Sequence, residues 1–166
     1  MQPIPLPVDD VVGEVQAALK GHATLVVSAP PGSGKTTRIP PAVSSVVDGR
    51  VLLLQPRRVA ARSCAQRIAA EQGTAVGERV GHWVRFDKRF SSNTEIVVLT
   101  EGILTRMLQA DPFLDGIGAV ILDEFHERAV HSDLALAMVA EIIRDARPDL
   151  KLIVMSATLE AEPVVA

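Results

Sequence analysis

Five short apolar runs place the strongest constraint on how this chain folds. Each is five or six residues long, is rich in Val, Ile and Leu, and does not alternate with polar residues. This pattern is typical of strands that are buried on both faces of a parallel sheet. The predicted strands are Thr24–Ser28, Val51–Gln55, Ile96–Thr100, Ala119–Asp123 and Leu150–Met155.

Helix-like stretches lie between these runs, at Arg58–Gln72, Glu101–Gln109 and Ser132–Asp145. Alternating strands and helices favour right-handed βαβ units. We therefore predict an α/β fold: a doubly wound, mainly parallel sheet with helices on both faces. Residues 73–90 are expected to form a loop with one short strand. We divide the chain into an N-terminal extended segment and helix (1–22), which packs on the domain formed by 23–166.

Composition excludes several classes of protein. With 48% hydrophobic residues and a net charge of −3 over 166 residues, the chain can bury a sizeable core, so disorder is not expected. The apolar runs are far shorter than a bilayer span of about 20 residues. The first residues show no basic region followed by an apolar one, so no secretory signal is expected. The single cysteine excludes an intramolecular disulfide and a cysteine-based zinc cluster, and a reducing cytoplasmic location fits best.

Charge is distributed unevenly along the chain. Residues 51–90 carry eight basic and three acidic side chains, whereas residues 91–166 are strongly acidic. The basic segment suits a polyanion-binding face, but a solvated arginine-bearing helix would look the same. Aromatic residues in this segment, Trp83, Phe86 and Phe90, are expected to anchor a core or a loop rather than to stack on bases.

A glycine-rich loop follows the first predicted strand. Glycines let backbone N–H groups converge on phosphate oxygens at a helix start, a lysine supplies positive charge, and a following hydroxyl can bind Mg²⁺. Ala29 stands where the usual phosphate-loop pattern has its first glycine. A chance surface turn is the alternative, and the buried strand before the loop disfavours it. The predicted nucleotide-binding residues are Pro31, Gly32, Ser33, Gly34, Lys35, Thr36 and Thr37. Pro40 and Pro41 predict a short or kinked first helix.

Two carboxylates end the fourth predicted strand. Asp123 and Glu124 lie at the carboxyl edge of the sheet, where ligands bind in open α/β folds. One carboxylate can fix Mg²⁺, together with Thr36, and the other can orient and deprotonate an attacking water. The alternative is helix capping by solvated acids. An isolated histidine would be interpreted as a polar surface residue, but the position of His126 two residues after Glu124 makes it a candidate site residue.

Five segments, in order along the chain, resemble motifs of the DEAH-box ATP-dependent helicases of superfamily 2. Motif I is similar to Ala29–Thr36, motif Ia to Gln55–Ala61, motif Ib to Thr100–Leu104, motif II to Asp123–His126 and motif III to Ser156–Thr158. Phe125 stands where the group name has Ala. This variant and the Ala-Pro-Pro-Gly loop look most like the bacterial HrpB-type group. The resemblance implies the first RecA-like lobe of such a motor, a P-loop NTPase domain.

The resemblance also implies roles for individual residues. Lys35, Asp123, Glu124 and His126 would be catalytic, with Thr36, Asp123 and Glu124 holding Mg²⁺. Arg67 would stack on the nucleotide base. His126, Ser156 and Thr158 would couple the nucleotide state to nucleic-acid binding. The residues that would contact the nucleic acid are Arg57, Arg58, Thr100, Gly102 and Arg85.

The function implied is that of a nucleotide-binding lobe that uses ATP, or another NTP, with Mg²⁺. Its expected partners are single-stranded nucleic acid, RNA rather than DNA, and a second RecA-like lobe of the same full-length chain, with no membrane. A first lobe alone is expected to hydrolyse nucleotide weakly and not to unwind duplexes, since arginine fingers of a second lobe would be missing. Two alternatives stay open: another phosphate-loop ATPase, and a nucleotide-regulated binding module without unwinding.

Overall fold

A seven-stranded sheet forms the centre of the molecule. The computed structural model describes residues 5–127 and 130–157. The strands are β1 (Thr24–Ser28), β2 (Arg50–Leu54), β3 (Val80–Val84), β4 (Asp87–Arg89), β5 (Ile96–Leu99), β6 (Ile117–Leu122) and β7 (Lys151–Ser156). Their order across the sheet is β1-β7-β6-β2-β5-β3-β4. All neighbours run parallel except the β3–β4 pair, which is antiparallel. The predicted α/β class and mainly parallel sheet are confirmed.

Helices cover both faces of this sheet. They are α1 (Val12–Gly21), α2 (Lys35–Ser44), α3 (Arg58–Glu71), α4 (Glu101–Ala110) and α5 (Val130–Asp145), with 3₁₀ turns at Pro7–Val11 and Phe125–Glu127. Successive residues of β2 point to opposite faces of the sheet and pack into two separate hydrophobic cores. Val51 and Leu53 pack with α1, α2 and α3, whereas Leu52 and Leu54 pack with α4 and α5. This is the predicted doubly wound arrangement.

None of these helices could cross a membrane. The longest, α5, has 16 residues. Within residues 5–127 and 130–157, no helix combines the length and the apolar character that a bilayer span requires.

Strand register aligns the carboxyl ends of the central strands. Leu54 of β2 pairs with Leu122 of β6 on one side and with Leu99 of β5 on the other. Ser28 of β1 pairs with Ser156 of β7. The segments that follow these strands therefore emerge side by side at one edge of the sheet.

Two local features differ from the sequence-based expectation. Helix α2 continues through Pro40 and Pro41 to Ser44, so its ten residues make a helix of ordinary length. Its first turns are fixed by the phosphate loop and its buried side chains by the core, and this tertiary packing offsets the missing proline donors. Residues 73–90 contain two strands rather than one, because β3 turns back as the hairpin strand β4.

Candidate nucleotide site and nucleic-acid face

The glycine-rich loop joins β1 to α2 and needs its glycines for backbone geometry. Gly32 and Gly34 have φ angles of 75° and 94°, in the left-handed region that disfavours side chains. Gly34 caps the start of α2, and its carbonyl oxygen accepts the N–H groups of Thr37 and Arg38 at 3.2 and 3.0 Å. The loop therefore wraps the positive end of the helix, the geometry that binds phosphate.

Lys35 is held across this loop. Its side chain is buried, and Nζ donates to the carbonyl oxygens of Ala29 at 2.6 Å and Pro30 at 3.1 Å. A cleft of about 340 Å³ opens beside it, which is within the size range of small-molecule sites. All the predicted phosphate-loop residues except Ser33 line the cleft, together with Arg67 and Glu124. Ser33 is buried behind them.

Asp123 connects three segments at the carboxyl edge of the sheet. It follows β6 and is 6% exposed. Its Oδ2 accepts the Thr36 hydroxyl at 2.7 Å and the Gln55 side-chain amide at 2.6 Å, and its Oδ1 accepts the N–H of Glu124 at 2.9 Å. A hydroxyl and a carboxylate in contact supply the hard oxygen donors that Mg²⁺ prefers. The residues present therefore fit a magnesium ion.

Glu124 and His126 continue the site towards the end of β7. Glu124 has a φ of 54°, a left-handed conformation that is uncommon for a residue with a side chain. Its Oε2 lies 3.1 Å from Nε2 of His126. Nδ1 of the same ring accepts the N–H of Ala157 at 3.2 Å, so Nε2 carries the proton that faces Glu124. Ala157 follows Ser156, which is fully buried at the end of β7.

Cys64 lies beneath this cluster on α3. Its Sγ is 4.0 Å from the amide nitrogen of Gln55. Burial, reinforced by the negative charge of Asp123, raises the pKa of the Cys64 thiol well above its ordinary value. The thiol is therefore neutral at physiological pH and serves packing rather than nucleophilic chemistry.

The predicted nucleic-acid residues follow the ends of three adjacent strands. Arg57 and Arg58 begin α3 after β2, and both are exposed. Thr100 caps α4 after β5, and Gly102 is exposed in the first turn, where an added Cβ would meet open space. Arg85 is exposed in the turn after β3. They share the edge of the sheet that carries the nucleotide cleft. The coupling candidate Thr158 falls outside the described residues.

The aromatic residues near Arg85 divide into two kinds. Trp83 and Phe90 pack together with ring centroids 5.8 Å apart. Phe86 is 91% exposed and has a φ of 68°, so the expectation that it anchors a core or loop is wrong. The two-residue turn between β3 and β4 leaves it no neighbouring surface, apart from the Arg85 guanidinium 4.8 Å from its ring centroid.

Four residues of the site were not predicted from the sequence. Gln55 contacts Asp123, and Leu6, Ser63 and Cys64 line the cleft. Gln55 carried a usable signal, because it is a polar residue directly after a fully apolar strand. Leu6 carried none, since its place beside the loop depends on how the N-terminal segment folds back over the domain.

Comparison with known proteins places these features in one family. A family model described as DEAD/DEAH box helicase matches residues 14–165. The chain is 46% identical over 157 residues to the ATP-dependent RNA helicase HrpB of Escherichia coli, covering 93% of this chain and 19% of that protein. It is 41% identical over 163 residues to the ATP-dependent RNA helicase HrpA homolog of Haemophilus influenzae, covering 96% of this chain and 12% of the relative.

A solved structure gives the same result. The crystal structure of the Escherichia coli DEAH/RHA helicase HrpB superimposes with a TM-score of 0.90 at 46% identity, covering 94% of this chain and 20% of that one. The chain thus spans about a fifth or less of the length of these matched proteins.

Proposed function

The chain belongs to the DEAD/DEAH box helicase family, and we propose that it is the nucleotide-binding lobe of an ATP-dependent RNA helicase. The observation that carries the proposal is the contact between Thr36 and Asp123, 2.7 Å long, which joins the phosphate loop to the acidic strand end. These are the two elements that nucleoside triphosphate hydrolysis requires. Relatives named as ATP-dependent RNA helicases support the same assignment.

We propose the following division of labour at the nucleotide. The loop N–H groups and Lys35 bind the phosphates. To do so, the Lys35 ammonium group leaves the carbonyl oxygens of Ala29 and Pro30 and donates to phosphate oxygens instead. Thr36, Asp123 and Glu124 would hold Mg²⁺, which would neutralise phosphate charge. Glu124 orients the attacking water and takes its proton.

We further propose that Arg67 stacks on the base. This assignment rests on the resemblance and on its place in the cleft wall.

The nucleic-acid face is proposed to bind single-stranded RNA through its backbone. Arg57, Arg58 and Arg85 supply positive charge, and the open surface at Gly102 lets a phosphate approach the helix start beside Thr100. His126, Ser156 and Thr158 are proposed to pass the nucleotide state to this face and to a second RecA-like lobe. The contact from His126 to Ala157 supports that role for the histidine.

The domain boundary and the cellular location are also proposals. We divide the chain after residue 22, although Val15 and Leu19 of α1 are buried in the same core as α2 and α3. We also propose a cytoplasmic location, for which the support is the sequence's single cysteine, which is buried and unpaired.

The first experiment is NTP hydrolysis by the full-length protein that carries this chain, without nucleic acid, with single-stranded RNA and with single-stranded DNA. Lys35→Ala serves as the blank. Stimulation by RNA above DNA is the expected result. Hydrolysis that depends on Lys35 but responds to neither polymer would instead indicate another phosphate-loop ATPase.

A second variant separates hydrolysis from binding. Glu124→Gln keeps the side-chain size but removes the base, so it should spare nucleotide affinity and lower kcat by about 10²–10⁴-fold. A variant that hydrolyses at the wild-type rate would remove Glu124 from the proposed mechanism. An unstimulated, non-hydrolysing wild type would favour a nucleotide-regulated binding module.

A further inference from the structure

The N-terminal segment Leu6–Asp9 lies directly on the phosphate loop. The N–H of Val8 donates to the Ser33 carbonyl oxygen at 3.1 Å, and the Val8 side chain is 1% exposed in the core. Leu6 covers Gly34 so closely that a Cβ added to Gly34 would lie 2.6 Å from Leu6 Cδ1. Leu6 is thus in van der Waals contact with the last glycine of the loop.

Ionic contacts fix this segment to the rest of the cleft. The N–H of Leu6 donates to Asp9 Oδ2 at 2.8 Å, and Asp9 Oδ1 lies 3.2 Å from Nε of Arg38 on α2. Arg38 also contacts Glu71 at 3.3 Å, and Glu71 contacts Arg67 at 3.2 Å. One chain of alternating charges therefore connects Leu6 to the arginine in the cleft wall.

Leu6 differs in chemistry from the phosphate-binding part of the cleft. Its half-buried side chain lines the same cavity as Thr37 and Arg67. An isobutyl group offers no donor to a phosphate oxygen, and the loop amides with Lys35 already supply that function. An apolar surface beside a polar loop suits the uncharged part of a nucleotide, its sugar and base.

We infer that Leu6 is a nucleotide-binding residue that contacts the nucleoside portion of the bound nucleoside triphosphate. The inference rests on the proposed function of the cleft. It adds a binding residue from outside the predicted phosphate loop and gives Leu6 a role in ligand affinity as well as in packing.

The test compares ATP with inorganic tripolyphosphate, which has the phosphates but no nucleoside. In the full-length protein, Leu6→Ala should raise the KM for ATP by about three- to tenfold, because apolar contact area is lost, and leave kcat unchanged. The inhibition constant of tripolyphosphate should not change. Leu6→Met, which restores the apolar volume, should return the KM to near the wild-type value.

Val12→Ala is the matched control, because Val12 also packs its partly buried side chain on the core but does not line the cleft. It should leave both constants unchanged. Leu6→Asn, similar in size to leucine but polar, repeats the test should the alanine variant fold poorly.

Two results would overturn the inference. An equal weakening of ATP and tripolyphosphate would mean that Leu6 acts only by supporting the loop, and an unchanged KM would mean that it makes no contact. Failure of the proposed function would look different, since the wild type itself would then lack Lys35-dependent hydrolysis or RNA stimulation.

Discussion

Asp123 is the residue on which the phosphate loop, β2 and the acidic turn converge. Its two oxygens accept three hydrogen bonds, from Thr36, Gln55 and the N–H of Glu124. Donors of this kind keep a buried carboxylate oriented, and removing such a donor from a metal ligand typically costs about 10–100-fold in metal affinity or activity. Gln55 is the partner that can be removed without touching the phosphate loop.

Gln55→Leu should raise the Mg²⁺ concentration needed for half-maximal hydrolysis by about 10–100-fold, because Asp123 loses a donor that fixes its orientation. A Mg²⁺ titration of ATP hydrolysis at saturating nucleotide measures the effect. The exposed Gln66, on the same helix as Cys64, provides the control variant Gln66→Leu, which should leave the titration unchanged. An unaltered Mg²⁺ requirement in Gln55→Leu would show that this amide does not support the site.

The burial of Cys64 predicts slow chemical modification of its thiol. Because burial raises the pKa of its thiol, the reactive thiolate is scarce and shielded in the folded state. We expect iodoacetamide to modify the native chain at least about a hundredfold more slowly than the urea-unfolded chain at pH 8. The single cysteine makes mass spectrometry of the intact chain sufficient. Equal rates would mean that α3 opens readily.

Among the secondary elements, those with continuous apolar sequence were predictable. The first strand has the predicted bounds, Thr24–Ser28, and the other four predicted strands shift by at most two residues at either end. Such strands are buried on both faces, so their sequence alone reports their environment. The bounds of α3 and α4 were likewise predicted to within one residue.

The β3–β4 hairpin was the main element not predicted as such. Strand β3 contains Gly81, His82 and Trp83, which interrupt an apolar run, and β4 is only three residues long. Its stability comes from cross-strand contacts. His82 Nε2 lies 3.0 Å from Asp87 Oδ2, and the Lys88 ammonium lies 4.4 Å from the Trp83 ring centroid. Contacts of this kind depend on the fold and are invisible to local patterns.

In the candidate site, the phosphate loop and acidic turn were predictable because each carries its own local chemistry. The contacts of Gln55 and Leu6 were not, since both join segments distant in sequence.

A bulge in β6 supplies a prediction about the fold. Arg50 pairs with Ile117 and Val51 with Ala119, so Gly118 is passed over in the register. A Cβ on Gly118 would collide with the carbonyl oxygen of Asp48. Gly118→Ala should therefore lower the free energy of unfolding by about 2–3 kcal/mol, measured by urea denaturation.

Gly13→Ala is the comparison for that substitution. Gly13 lies in α1, and an added Cβ there meets open space. This variant should gain about 0.5–1 kcal/mol from helix propensity. Similar unfolding midpoints for the two variants would show that the backbone at β6 yields to the extra methyl group.

For the whole molecule, nucleotide binding should appear as stability. A ligand that binds only the folded state at a hundred times its Kd adds about 2.7 kcal/mol, which is about 5–10 °C in Tm for a chain of this size. Thermal unfolding with and without Mg²⁺ and a non-hydrolysable ATP analogue measures this shift. Lys35→Ala should lose most of it, and Mg²⁺ alone should produce little. A shift of equal size in Lys35→Ala would place the ligand elsewhere.

The end of β2 is tied to the acidic turn at two points. Gln55 contacts Asp123, and two residues further on the guanidinium of Arg57 lies 3.7 Å from the carboxylate of Glu127. The buried hydrogen bond and the exposed ion pair together close a small ring between neighbouring loops. A shift of the Asp123 carboxylate would act first on Gln55, which precedes Pro56 and Arg57 in the chain. On the proposed function, the chain segments that meet the nucleotide and the RNA backbone would thus be separated at this point by one residue, Pro56.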